Sequence, residues 1–563
     1  MAVGVPTLWI LVAGWNHRWI GDDGLIYTRV VRQILAGNGP VYNVGERVET
    51  STGTLWQWLV AAATLPTGMD PAKVAVCLGL ALCTTGFALA LLGTLALHGR
   101  PARVVPLGVL ALLPVQAMWD YATSGLETGL AFCWLGATWW TLVHVGRTGR
   151  HLTWTAVLLG LGPLVRPDLA LVTGLYAAVL FALVRPGWRR GLSALAAGLA
   201  LPVGYEIFRA GYYGILVPLP AITKEASWTL WDRGLYYLAD FVTPYHLWLP
   251  LVLLAALSVP VAAALREAPD GRRALIIAAT PVGTGLASAL FVTKVGGDFM
   301  HGRMLLPALF LVLLPGFLVP LTRITASALA AVVVWAGACL LIWRPPYKND
   351  GISFILDEHA GYVGATGQQH PVTQAAHAAR GFLFAREVRR LRAEGERVVL
   401  IEMNYDREVQ AFPLSARHRP AARFAGMEAR LGHAGVAIPL DEIAVDYLGL
   451  SNPLGAHMQP TIFKKAGHEK PIKRSWVIAD YTDPAATDSP AVRAARHALT
   501  CGAIAELQDS VRAPLTPGRF WQNLTGAWER TRLRIPADPV AAEKEFCVKP
   551  APAATAAGAA VAQ

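Results

Sequence analysis

Residues 72–97 read AKVAVCLGLALCTTGFALALLGTLAL, and residues 98–103 continue as HGRPAR. The apolar stretch carries one charge, Lys73, and exceeds the roughly 20 residues a helix needs to cross a bilayer. Arg100 and Arg103 follow it at once. Outward from this stretch, comparable runs lie at 3–15, 104–118, 126–146, 151–164, 168–184, 191–208, 246–265, 274–293, 304–321 and 328–343. Basic clusters recur between them: Arg147 with Arg150, Arg185 with Arg189 and Arg190, Arg266 with Arg272 and Arg273, and Arg323. If all are cytoplasmic, as the positive-inside bias implies, the run at 51–66 must rest on the outer surface. About eleven spans result, with the N-terminus inside and the C-terminus outside. The 151–184 stretch then crosses twice, with Arg166-Pro167-Asp168 at its outer turn, where Pro167 breaks the helix. The short run at 3–15 lacks a signal-peptide cleavage pattern and is read as a first span.

Composition agrees. The 563 residues are 54% hydrophobic and only 15% charged, with 19 Trp, whereas soluble domains carry about 25% charge and Trp collects at membrane interfaces. The net charge of +11 falls in short clusters between apolar runs, which excludes a nucleic-acid-binding face. From Arg344 onward charges become dense. Strand-like runs at Arg397–Ile401 and Trp476–Ala479 and a helical pattern over Arg380–Arg392 predict an α/β domain. The expected fold is a polytopic α-helical membrane protein with a C-terminal α/β extracytoplasmic domain. Residues 1–343 form the membrane part, with a first external loop at 16–71. Residues 344–550 form the outer domain, and 551–563, rich in Ala and Pro, a disordered tail. Cys77, Cys83, Cys133 and Cys339 lie in apolar runs as small hydrophobes. Cys501 and Cys547, in the outer domain, are candidates for a disulfide.

This topology collects polar residues on the outer side. Asp22 and Asp23 follow the first span. In Leu25–Leu35, Ile26, Val30 and Ile34 share one helical face opposite Arg29, Arg32 and Gln33, which predicts an amphipathic helix lying in the interface. Such a surface suits sugar transfer from a lipid phosphate, whose tail stays in the bilayer. The phosphate needs cations, and Arg29, Lys224, His301 and Arg303 are the candidates. The acceptor hydroxyl or the developing oxocarbenium charge needs a carboxylate, for which Asp22 and Asp23 are placed. Glu127, Arg166, Asp298 and, in the outer domain, His468 are candidates for holding sugar. Each has a bland alternative: Arg29 equally suits snorkelling to head groups, and Glu127 a helix dipole. No acidic cluster shows divalent-ion spacing and Asp-x-Asp is absent near Asp22, so no metal or cofactor is assigned.

Asp22-Asp23, Gly37-Asn38-Gly39-Pro40-Val41-Tyr42-Asn43 and Gly45-Glu46-Arg47-Val48-Glu49, in that order, resemble the first external loop of the GT-C class of integral-membrane glycosyltransferases. Thr123-Ser124-Gly125-Leu126-Glu127-Thr128 also looks like a motif of that class. Within it, Lys294–Arg303, Leu448–Pro453 and Gly467–Lys470 are most similar to the cell-wall arabinofuranosyltransferases that form terminal β-(1→2) linkages. The resemblance covers nearly the whole chain. It implies decaprenyl-phospho-arabinose as donor, the arabinan of arabinogalactan and lipoarabinomannan as acceptor, Asp22 and Asp23 as the catalytic pair, and residence in the plasma membrane. It also implies that β configuration is retained, which a single displacement by a base-activated hydroxyl would invert. A polyprenyl-phosphomannose-dependent mannosyltransferase would share these features. A lipid-linked glycan transporter would place charges at mid-membrane and often shows inverted repeats, and here the ionisable residues sit at span ends.

Overall fold

The computed structural model describes residues 1–225, 227–345, 354–379, 383–404, 408–415, 422–463 and 465–547. The tail expected at 551–563 lies outside the described residues. Six helices among them are long and apolar enough to cross a membrane: Pro71–Leu97, Pro167–Val184, Trp188–Tyr212, Trp248–Arg266, Gly271–Lys294 and Arg323–Leu341. They turn large apolar side chains outward, such as Leu192, Leu195 and Leu199 on one helix and Val252 and Val259 on another. A bilayer accommodates that surface and water does not. Helix Pro71–Leu97 packs on Thr128–Thr148 through glycines. A Cβ on Gly129 would fall 2.1 Å from the Gly79 carbonyl oxygen, and one on Gly136 the same distance from that of Gly86. Small residues let membrane helices approach where apolar burial alone gives no preference over lipid.

Two expected spans differ in form. The 104–118 run is a two-residue strand, Val104–Val105, then short helices Leu107–Leu110 and Gln116–Tyr121. The 304–321 run is helix Leu306–Leu313, a 3-10 turn and strand Val319–Pro320, which pairs antiparallel with Val104–Val105. Leu107, Val109, Leu306, Phe310 and Leu314 are fully buried. Broken backbone is tolerated at membrane depth where protein covers it.

The basic linkers meet at one end of this bundle. Arg147 pairs with Asp270 at 2.7 Å and donates to the Ala96 and Leu97 carbonyls, Arg190 donates to the Gly149 carbonyl, and the Leu321 N–H donates to the Arg103 carbonyl. The loops carrying Asp23, Ser124, Asp298 and Arg303 meet at the other end.

Over that second end sits an α/β cap. Its four-stranded sheet has two parallel pairings, Val398–Asn404 with Phe424–Glu428 and Phe424–Glu428 with Ile443–Asp446, and one antiparallel edge, Glu408–Pro413. The expected strand at Trp476–Ala479 is instead part of helix Arg474–Tyr481. A four-residue apolar run has no period to separate strand from helix. Val399 and Ile401 face one core with Trp476, while Val398 and Leu400 face another with Phe384 and Leu431. That second core takes in Ile26 and Val30. Helix Asp22–Leu35 is therefore no interfacial helix. Its apolar face packs under the cap, and Leu25 packs with Val76 of the bundle on another side.

The Gly-rich loop after this helix straps the cap down. The Asn43 side chain completes a strand-like pair, its amide donating to the Ala444 carbonyl and its carbonyl accepting from the Ala444 N–H. The Tyr42 hydroxyl donates to the Leu431 carbonyl at 2.5 Å, and Glu46 pairs with Arg512 at 2.9 Å. Glu49 instead grips the bundle through Arg209 at 2.6 Å. Arg29 is completely buried, and its guanidinium donates to the carbonyls of Tyr42, Gly435, Ile438, Pro439 and Glu442. Arg29→Met would leave those carbonyls short of a donor. It is expected to destabilise the cap by about 3 kcal/mol or more, read as a lower melting temperature, without a selective rise in donor KM.

Candidate active site

Between cap and bundle lies a cavity of about 320 Å³, lined by Asp22, Asp23, Glu358, Lys224, Lys465 and His468 among others. The acidic pair forms the first turn of helix Asp22–Leu35. The turn is clamped: the Gly21 N–H donates to the Ser124 carbonyl at 3.0 Å, and a Cβ on Gly24 would meet that same carbonyl at 2.6 Å. Gly125 takes a left-handed φ of 81°, which glycine adopts without penalty.

The two carboxylates differ. Asp22 accepts from the Gly432 N–H at 3.0 Å and the His433 N–H at 2.8 Å, at the start of cap helix Leu431–Ala437. Gly432 packs so close that a Cβ there would be 2.0 Å from the Asp22 carbonyl oxygen. Burial, with the charge of Asp23, pushes the Asp22 carboxyl up to about 6 although the two amides pull the other way. Asp23 meets Arg303 at 3.4 Å, and its side chain is 21% exposed. Arg303 is anchored by Asp298 at 2.6 Å. Burial opposes the Asp298 charge, but Arg303 and Lys224 outweigh it and hold that carboxyl below the ordinary value.

Facing the pair are two lysines. Among the described residues, neither Lys224 nor Lys465 has a carboxylate within ion-pair distance. The Lys465 ammonium sits 5.0 Å from the Phe299 ring centroid, and burial lowers its pKa. His468 stacks edge-on against Phe299 at 5.3 Å, and burial with Lys465 nearby drops it to about 4. Glu358 completes the wall. Burial, then the charges of Asp23 and Asp22, push its carboxyl well above the ordinary range, and its Oε2 is buried without a hydrogen-bond partner among the described residues.

Thus Asp22, Asp23, Lys224 and His468 line one cavity. Arg303 stands behind Asp23, and Asp298 lines a neighbouring cavity of about 400 Å³ with Tyr237 and Phe463. The other candidates lie elsewhere. Arg29 is committed to the five carbonyls. His301 is held by Asp240 at 2.6 Å and the Tyr245 hydroxyl at 3.1 Å. Glu127 accepts from the Tyr27 hydroxyl at 2.9 Å, and Arg166 binds Asp168 through two 2.9 Å contacts. These four brace the site and do not line it. Glu358 and Lys465 are the additions. Asp357-Glu358 is an acidic pair like Asp22-Asp23, but it lies 16 residues beyond helix Arg323–Leu341, whereas Asp22 lies six beyond Gly4–Asn16. Cys501 and Cys547 are joined by a disulfide.

The cap portion, residues 400–545, matches the AftB family C-terminal domain. Together with the apolar helices of membrane-spanning length and two relatives matched over nearly their full length, this makes the chain a membrane glycosyltransferase. The terminal beta-(1->2)-arabinofuranosyltransferase of Mycobacterium tuberculosis is 36% identical over 95% of this chain and 94% of its own length. That of Corynebacterium glutamicum is 33% identical over 98% and 88%. The chain belongs to the terminal β-(1→2)-arabinofuranosyltransferase family. No solved structure matches it.

Proposed function

We propose that the chain transfers an arabinofuranosyl residue from decaprenyl-phospho-arabinose to the non-reducing ends of cell-wall arabinan, forming terminal β-(1→2) linkages on the outer side of the plasma membrane. One observation carries this reading: an acidic pair and two lysines without carboxylate partners face a single cavity where the bundle meets the cap. The donor phosphate sits against Lys224 and Lys465, with its lipid tail among the helices below. As the bond from the anomeric carbon to the phosphate breaks, the lysines take up the growing negative charge. Asp23, less tied than Asp22, faces the positive charge growing on the ring. Asp22 acts through position, joining the acidic turn to the cap. The acceptor hydroxyl oxygen bonds to the anomeric carbon and its proton passes to the departing phosphate; a carboxylate first bound at that carbon, or departure and attack on one face, preserves the β configuration.

The outer placement is supported by the basic linkers at the opposite end and by the Cys501–Cys547 disulfide, which suits an oxidising compartment. Eleven crossings follow if the first helix, Thr128–Thr148, the two broken segments and the shorter apolar helix Leu152–Val165 join the six long helices. Feeding radiolabelled decaprenyl-phospho-arabinose to the purified protein with an arabinan oligosaccharide is expected to yield terminal 2-linked product, and polyprenyl-phosphomannose none. Transfer from the mannosyl donor alone would refute the assignment. In the same assay, Lys224→Met with Lys465→Met is expected to raise donor KM about 10- to 100-fold with a smaller change in kcat, as loss of charge-assisted phosphate contacts implies.

A further inference from the structure

Beside the sugar cavity, three segments bring a different donor set together. His17 caps the first helix, Gly4–Asn16; Asp120 lies in helix Gln116–Tyr121; His359 lies in helix Glu358–Thr366, whose Tyr362 packs into the bundle core. His17 Nδ1 is 3.1 Å and His359 Nδ1 3.8 Å from Asp120 Oδ1. One ligand atom from each of the three residues lies within 4.8 Å of the others. The Asp120 backbone is held by the Trp19 indole N–H at 2.8 Å. The His17 and His359 rings are 5.5 Å apart, and Trp119 and Trp19 pack against them at 5.2 and 5.5 Å.

A hydrogen bond between His17 and Asp120 needs no third member. His359 nonetheless directs its Nδ1 to the same oxygen at 3.8 Å, too far for a hydrogen bond. Two imidazoles and one carboxylate form the donor set of a first-row transition dication; calcium and magnesium prefer oxygen throughout. The His17 side chain is 29% exposed, which leaves a side for entry and for a water ligand.

We propose that His17, Asp120 and His359 bind one zinc-class divalent cation. Binding displaces the proton that His17 Nδ1 shares with Asp120. The ion ties helix Glu358–Thr366 to the ends of two bundle helices at the residue beside Glu358. It therefore acts as a structural clasp next to the sugar site, and its presence does not depend on which sugar is transferred.

The test uses the tag-free full chain in lipid nanodiscs, stripped with chelator and titrated with Co(II). The expected result is saturable uptake of one equivalent with visible d–d absorption, displaced by Zn(II). His17→Ala and His359→Ala should each weaken uptake roughly 100-fold or more, as loss of a ligand exceeds the 10- to 100-fold effect of outer-shell changes. His497→Ala, at the surface beside the disulfide, should leave uptake intact. Absence of saturable one-equivalent uptake by the wild-type chain overturns the proposal whatever the variants do. So does uptake that disappears only in His497→Ala.

Discussion

Asp23→Asn is expected to lower kcat about 10²- to 10³-fold, the range for removing one group that stabilises transition-state charge, while the melting temperature changes little. Among the described residues Asp23 has one side-chain partner, Arg303 at 3.4 Å, so its amide isostere removes charge from the cavity with few structural consequences. Asp22→Asn is a contrasting case. An amide oxygen keeps one of the acceptor contacts to Gly432 and His433 and loses the other. A loss nearer 10-fold is expected, accompanied by a lower melting temperature, since each such contact contributes about 1 kcal/mol. Equal, complete losses without destabilisation would contradict the division of roles.

Asp22 sets a pH dependence with opposite signs for stability and activity. The ordinary value for Asp22 is 3.8, and burial raises it to about 6 in the folded protein. Between those values the folded state holds a proton that the unfolded chain has released. The contribution of Asp22 to stability therefore falls as pH rises through this window. Ionised Asp22 accepts from both cap amides and holds the acidic turn in place, so transfer should rise through pH 6. A partial acidic limb of kcat/KM near 6, about 10-fold deep, is expected, and Asp22→Asn should abolish it because it removes the group whose pKa lies there.

Arg303→Met is expected to have the largest combined effect on stability and turnover. The guanidinium is buried and neutralises Asp298 at 2.6 Å. Removing it strands a buried carboxylate, which typically costs about 3–5 kcal/mol. It also frees Asp23 from this anchor, so transfer should fall about 10²-fold or more through lost positioning. The double variant Arg303→Met with Asp298→Asn separates the two effects. Neutralising Asp298 should restore most of the melting temperature, while transfer stays low because Asp23 is still unanchored. Recovery of both would make Arg303 a purely structural residue.

Much of this site was legible in the chain because membrane topology sorts charge by side. Once the basic linkers are assigned to one face, the loops bearing Asp22, Lys224 and Asp298 must share the other. His468 was reachable through its motif alone. Arg29 was misread for a physical reason. A cation on an amphipathic helix looks the same whether a lipid phosphate or a set of backbone carbonyls awaits it, and carbonyls leave no mark in a sequence. The loop around Tyr42 and Asn43 carries a recognisable pattern because it straps down the cap, a packing role that motif reading credits to chemistry. Lys465 and Glu358 escaped because both lie after the final long apolar helix and reach the cavity through long-range packing. The metal-type cluster escaped likewise, since residues 17, 120 and 359 have no spacing to read.

The most direct measurement is a structure of the full chain with a non-hydrolysable decaprenyl-phospho-arabinose analogue. The expected result places the phosphate within hydrogen-bonding distance of Lys224 and Lys465 and the anomeric carbon against Asp23. A phosphate bound at the opposite end of the bundle, near Arg147 and Asp270, or a sugar ring outside the cavity between bundle and cap, would contradict the account.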